Sequence, residues 1–214
     1  MQKVSDTQRI SASEQQKIQL ARSLYDVCSG SLRQDPSIRL LLQRLKNCIE
    51  NSKESMVALG VFAECKHCEE EEGGSCCGAG IEKRYDPALL LINLLLGAEL
   101  PRQVRCQNSC YFLGENGCLL TARHVLCVNY ICQKLRRKLT REELIALQSS
   151  AGEELDTLFL LNEAVKKHIR SHTKEYGSLL DQKGVGVSAS PDGVLESGPQ
   201  SSRSLQHAKT PAIQ

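Results

Sequence analysis

The chain has no tryptophan and few other aromatics, five Tyr and three Phe in 214 residues. That scarcity excludes a large aromatic core and a platform of rings for stacking bases. Charge of one sign is also missing. Against 27 basic residues stand 25 acidic ones, a net of +2, so nucleic acid is not an expected partner. The longest apolar run, Ala88 to Leu96, is interrupted by Asn93 and falls well short of the ~20 residues needed to cross a bilayer. The start, Met1-Gln2-Lys3-Val4-Ser5-Asp6, lacks the apolar stretch of a secretory signal. The expected location is therefore the cytoplasm, without membrane attachment. There is no internal repeat, no convincing strand alternation and no Gly-rich strand–turn–helix fingerprint. No paired carboxylates stand in a catalytic setting, so no catalytic constellation is identified.

What the chain does have is cysteine, eleven in all, well above ordinary usage. In a reducing compartment a Cys-rich pattern points to metal binding or catalysis rather than disulfides. The odd count also fits poorly with a fully paired framework. Cys28 and Cys48 fall on apolar helix faces and read as small buried hydrophobes. The other nine lie within residues 65–132: Cys65, Cys68, Cys76, Cys77, Cys106, Cys110, Cys118, Cys127 and Cys132. A Cys-x-x-Cys turn sets two sulfurs on one side of a tight loop, and thiolates select zinc, copper(I) and iron–sulfur clusters over hard cations. All nine are expected metal ligands. Nine thiols exceed the four that one zinc or one cubane takes, which leaves one site or two. Adjacent side chains of an extended segment point to opposite sides, so Cys76 and Cys77 require either a sharp turn or two separate sites.

Around this segment the apolar spacing predicts an all-α fold. Residues 1–12 read as a flexible start. Residues 13–58 read as a helical hairpin: Ser13 and Gln16 suggest a capping box, Gly30 and Ser31 punctuate, and Asp35-Pro36 restarts a helix. Residues 59–135 form the expected Cys-cluster region, irregular except for one buried helix from Asp86-Pro87 to Gly97. Residues 136–176 carry C-terminal helices that pack on the same domain, opened by Thr140 and Glu143 and open to a break at Gly152. The last stretch, 177–214, holds 15 Gly, Ser or Pro in 38 residues and is expected to be a disordered tail.

The order of these cysteines resembles the CxxCxxCC cysteine-cluster family, the YkgJ-like proteins described as zinc- or iron-chelating domains. The resemblance is carried by Cys65 and Cys68, Cys76 and Cys77, Cys110-Tyr111-Phe112-Leu113, and the run from Cys118 through Arg123 and Cys127 to Tyr130. It covers about residues 65–132. Seven residues separate Cys68 from Cys76 where the family has two, and His124 replaces the usual Pro. The resemblance implies a chelated zinc ion or iron–sulfur cluster. Since some relatives occur in flagellin lysine methylases, it also implies a cluster-dependent methyl transfer as an alternative activity.

The expected function is thus a metal-binding protein holding zinc or an iron–sulfur cluster, with a slight lean to iron–sulfur. A zinc-stabilised module that docks a protein partner is the second alternative to methyl transfer. A thioredoxin-like role for Cys65 and Cys68 lacks the βαβ setting that motif needs. His67 and His124 read as surface residues, and Glu69 to Glu72 as a solvated loop insertion. Lys134, Arg136, Arg137, Lys138 and Arg141 read as the polar face of a helix start. Arg123 is expected to act structurally, by compensating thiolates or making a buried hydrogen bond.

Overall fold

In the computed structural model, the described residues are 6–72, 76–78, 80–103, 109–172, 174–176, 188–189 and 195–196, with side chains described from Glu14 to Tyr176. Helix α1 spans Asp6–Gln34 and is followed at once by α2, Pro36–Ala58. The joint is the one the sequence predicts. The Asp35 carboxylate accepts hydrogen bonds from the Ser37 and Ile38 amides at 2.9 and 3.0 Å, and Pro36 loses nothing at the first position, where no intrahelical partner exists. Two expectations are corrected here. The helix begins before Ser13, and Gly30-Ser31 does not interrupt it. A mid-helix Gly costs roughly 1 kcal/mol, which burial of Cys28 and Leu32 on the same face outweighs.

Nor do α1 and α2 pack mainly on each other, as the expected hairpin would. The chief neighbour of α1 is α4, Pro87–Leu95, and that of α2 is α7, Arg141–Ser171. The reason lies in α4, whose Ala88, Leu89, Leu90, Leu91, Ile92, Asn93 and Leu95 are all buried. A helix apolar nearly all round needs partners on several sides, so it draws α1 onto itself. Asp86 caps it by accepting from the Leu89 amide at 2.8 Å. Gly97, with φ +87°, closes it through Gly97 N–H to Leu94 O and Ala98 N–H to Asn93 O. This is the buried central helix that the sequence predicts.

The capping box of Thr140 and Glu143 opens α7 as expected. Gly152 does not split it. Leu147, Ala151, Glu154, Leu158, Leu161, Val165 and Ile169 form one continuous buried stripe across that glycine. A second, smaller apolar cluster gathers Met56, Val61, Val128, Ile131, Leu135, Leu147 and Ala151. It joins the end of α2 and the start of α7 to α3 (Val61–Glu71), α5 (Val125–Asn129) and α6 (Gln133–Lys138).

The Cys-rich stretch is less irregular than expected, since α3, a 3-10 turn at Ile81–Arg84, α5 and the start of α6 lie within it. Two short antiparallel strand pairs also appear where no strand pattern is legible: β1 (Leu113–Gly114) with β2 (Gly117–Cys118), and β3 (Ser188–Ala189) with β4 (Leu195–Glu196). A two-residue strand is too short to show alternation. Apart from the backbone of β3 and β4, the expected disordered tail lies outside the described residues, as do residues 1–5 of the expected flexible start. None of the described helices is long and apolar enough to cross a membrane.

Candidate metal centre

Cys65 and Cys68 sit one turn apart on α3, not in the tight loop the spacing suggests. Glu69, Glu70 and Glu71 complete that helix and Glu72 caps it, so the acidic run is a helix end rather than a loop insertion. Helix α6 lies alongside. Lys134 Nζ donates to Cys68 Sγ at 3.5 Å and to the Glu72 carboxylate, and Lys138 reaches Glu64 at 3.0 Å. These contacts bring Cys132, the residue capping α6, to the same side as Cys65 and Cys68. Cys76 follows on the far side of the acidic run, with the Tyr130 hydroxyl as a hydrogen-bond partner.

Four further thiols, Cys77, Cys110, Cys118 and Cys127, belong to the hairpin side. The Cys110 amide donates to Cys77 O at 2.8 Å, beside an antiparallel bridge between Gly78 and Ser109. Cys118 lies on β2 opposite Leu113. The amides of Phe112 and Leu120 lie near the sulfurs two residues before them, Cys110 and Cys118, and oppose the rise in their pKa. An amide aimed at a sulfur favours its thiolate form, as hydrogen bonds to a charged form do. Cys127, on α5, meets the Tyr85 hydroxyl at 3.7 Å. That buried phenol packs edge-on against Phe112, with ring centroids 5.0 Å apart.

Two polar side chains fasten this loop to the helices. Asn93, fully buried in α4, donates to Ala122 O at 2.9 Å and accepts from Ala122 N–H at 2.9 Å. Next in the chain, Arg123 is buried, donates to Met56 Sδ at 3.6 Å and favours the Cys118 thiolate. It therefore makes the buried hydrogen bond expected of it, while its Nε is left without one. Its other neighbour is Glu154, completely buried on α7. Neither oxygen of that carboxylate closes a hydrogen bond, although Ser52 and Arg123 are its polar surroundings, and burial pushes its pKa up.

Four of the thiols are displaced in one direction. Cys65, exposed as a residue, is pushed up to about 11 by desolvation of its sulfur, reinforced by Cys77, Cys76, Cys132 and Cys68. Burial pushes Cys110 up to about 12 against the amide of Phe112, with Glu82, Cys118 and Cys127 adding to the rise. Cys76 is raised likewise. Cys118 is raised by burial of its sulfur, although the residue as a whole is exposed, while the Leu120 amide and Arg123 oppose the rise. Reactive cysteines have depressed pKa values; these do not. Desolvated thiols that also oppose one another's ionisation are poor nucleophiles, and a soft cation among them reverses that penalty.

Among the described residues, no three His, Cys, Asp or Glu side chains stand together as a ready-made metal-holding group. The donor chemistry fits a soft ion, and the thiols have to draw closer to surround one. His67 is engaged by Glu71 at 3.3 Å and Glu72 at 3.4 Å. His124 caps α5 by accepting from the Leu126 amide at 3.2 Å. Cys28 and Cys48 are buried away from the cluster, Cys28 donating to Leu24 O and Cys48 meeting Thr157. Cys106 lies outside the described residues.

Sequence reasoning missed Asn93, Tyr85, Glu154 and the contact of Lys134 with Cys68. Only Asn93 carries a signal that points to it, as the one polar residue in an apolar helix. No protein-family model matches the chain, and neither a curated protein nor a solved structure matches it, so the resemblance to the CxxCxxCC family rests on the motif residues alone.

Proposed function

We propose that the protein binds a soft metal, as zinc or as an iron–sulfur cluster, through the thiols of its 65–132 region. The observation that supports this is the crowding of thiols from α3, the hairpin, α5 and the start of α6. Loss of solvent raises Cys65 in particular, with repulsion from the neighbouring thiols adding to the rise. A bound cation converts that repulsion into coordination and deprotonates its ligands. The residues that would hold it are Cys65, Cys68, Cys76, Cys77, Cys110, Cys118, Cys127 and Cys132, with Cys106 as a further candidate. The group would supply stability by tying together segments that share only small apolar contacts; structural zinc contributes roughly 10–16 kcal/mol in small peptides. The chain's own part is to place the Phe112 and Leu120 amides near Cys110 and Cys118 and Arg123 near Cys118, each favouring thiolate there, and Lys134 against Cys68.

Anaerobic purification followed by elemental analysis checks this reading. Metal should co-purify in stoichiometric amount, zinc giving a colourless protein and iron with labile sulfide a brown one. A fully folded protein free of both, and unable to take up zinc when reduced, overturns it.

A further inference from the structure

We propose that the described thiols form two soft-metal sites rather than one. Cys65, Cys68, Cys76 and Cys132 hold one ion, between α3 and the start of α6. Cys77, Cys110, Cys118 and Cys127 hold the other, between the hairpin and α5. The partition rests on the metal–thiolate reading above and adds to it the number of ions and their ligands.

Four observations bear on the division, with Cys77, the foremost thiol neighbour of Cys65, at its boundary. The first is secondary structure. Helices α3 and α6 are joined by the Lys134–Cys68 and Lys138–Glu64 contacts, which sets Cys65, Cys68 and Cys132 on one side, while Ser109 donates to Glu69 at 2.9 Å and ties α3 to the hairpin side. The second set is held by the Cys110–Cys77 backbone bond, the β1–β2 pairing and the start of α5.

The second observation is charge. A tetrathiolate zinc carries a net charge of about −2, which calls for a cation nearby. Each set has its own: Lys134 at Cys68 and Arg123 near Cys118. The third is the phenols. Tyr130 serves Cys76 and Tyr85 serves Cys127, one hydroxyl to each set.

The fourth is the vicinal pair. Cys76 and Cys77 stand in a bend, and their surroundings differ. Cys76 has Cys132 and Cys68 as its thiol neighbours. Cys77 is bonded through its backbone to Cys110 and lies near Cys118, with Cys65 also in reach. It therefore stands at the junction, and eight thiols divide into two sets of the four that a tetrahedral ion takes.

The test uses the full chain, reduced, stripped by a chelator and titrated anaerobically with Zn2+ alone. Bound zinc is counted, and alkylation of each cysteine is mapped by mass spectrometry at every step. Two equivalents should bind, with protection at the first equivalent confined to one set. Cys68→Ser and Cys118→Ser should each lower the count from two to one, Cys68→Ser leaving Cys110, Cys118 and Cys127 protected. Where a variant fails to fold, the wild-type footprint at one equivalent decides. A single equivalent that protects both sets overturns the partition and leaves the metal–thiolate reading standing. No bound zinc overturns that reading itself.

Discussion

Asn93 links the helical core to the thiol-bearing loop through three hydrogen bonds, to Leu89 O and to both backbone groups of Ala122. Replacing it with Ala strands a buried N–H and a buried C=O on Ala122, each costing about 1–3 kcal/mol. Asn93→Ala should therefore lower the urea midpoint strongly and weaken metal retention, because Ala122 lies between Cys118 and Cys127. An unchanged midpoint would show that this side chain does not pin the loop. In the sequence Asn93 is visible only as an interruption. What it bonds is set by a residue 29 positions away, and pattern reading has no access to that distance. The same holds for Lys134, legible as part of a basic helix face but not as the neighbour of Cys68.

At the scale of elements, local chemistry and burial compete, and burial decides the length of a helix. The caps at Asp35, Asp86 and Thr140 are legible because each acts on amides two or three residues away. The continuity of α1 through Gly30 and of α7 through Gly152 is not, because it depends on what the helix packs against. Gly152 has open space where a Cβ would stand and needs no positive φ. Gly152→Ala should therefore stabilise the protein by about 0.5–1 kcal/mol in thermal or urea unfolding. A loss of stability would show that α7 does bend there. Helix α3 teaches the converse. Cys-x-x-Cys followed by a run of Glu reads as a loop by composition, yet Val61 buried against the second apolar cluster starts a helix that carries the cysteines with it.

Across the whole molecule, α2, α7 and the thiol loop meet at Ser52, Glu154 and Arg123. Burial holds Glu154 above its ordinary pKa, so the folded state keeps its proton longer than the unfolded chain does. Its contribution to stability is full below the ordinary carboxylate range and declines as pH rises through the raised folded value. Glu154→Gln removes that titration. The stability of wild type relative to Glu154→Gln should fall as pH rises above the ordinary carboxylate range, as read by urea unfolding at several pH values. His124 and His168, whose pKa values burial lowers, titrate alike in both proteins and cancel in the comparison. Parallel profiles would show that folding does not raise the Glu154 pKa.

The sequence by itself determined the all-α class, the central helix of residues 87–95, the burial of Cys28 and Cys48, and the confinement of the remaining cysteines to one region. Each depends on residues within a few turns of one another. Only the tertiary structure decided which helices pair and that Cys65 and Cys68 ride on a helix. It alone places a buried Asn and a buried Arg as the fasteners of the thiol loop. Those outcomes depend on contacts between distant segments, where the free energy of burying α4 outweighs the local preference of neighbouring helices to pack together.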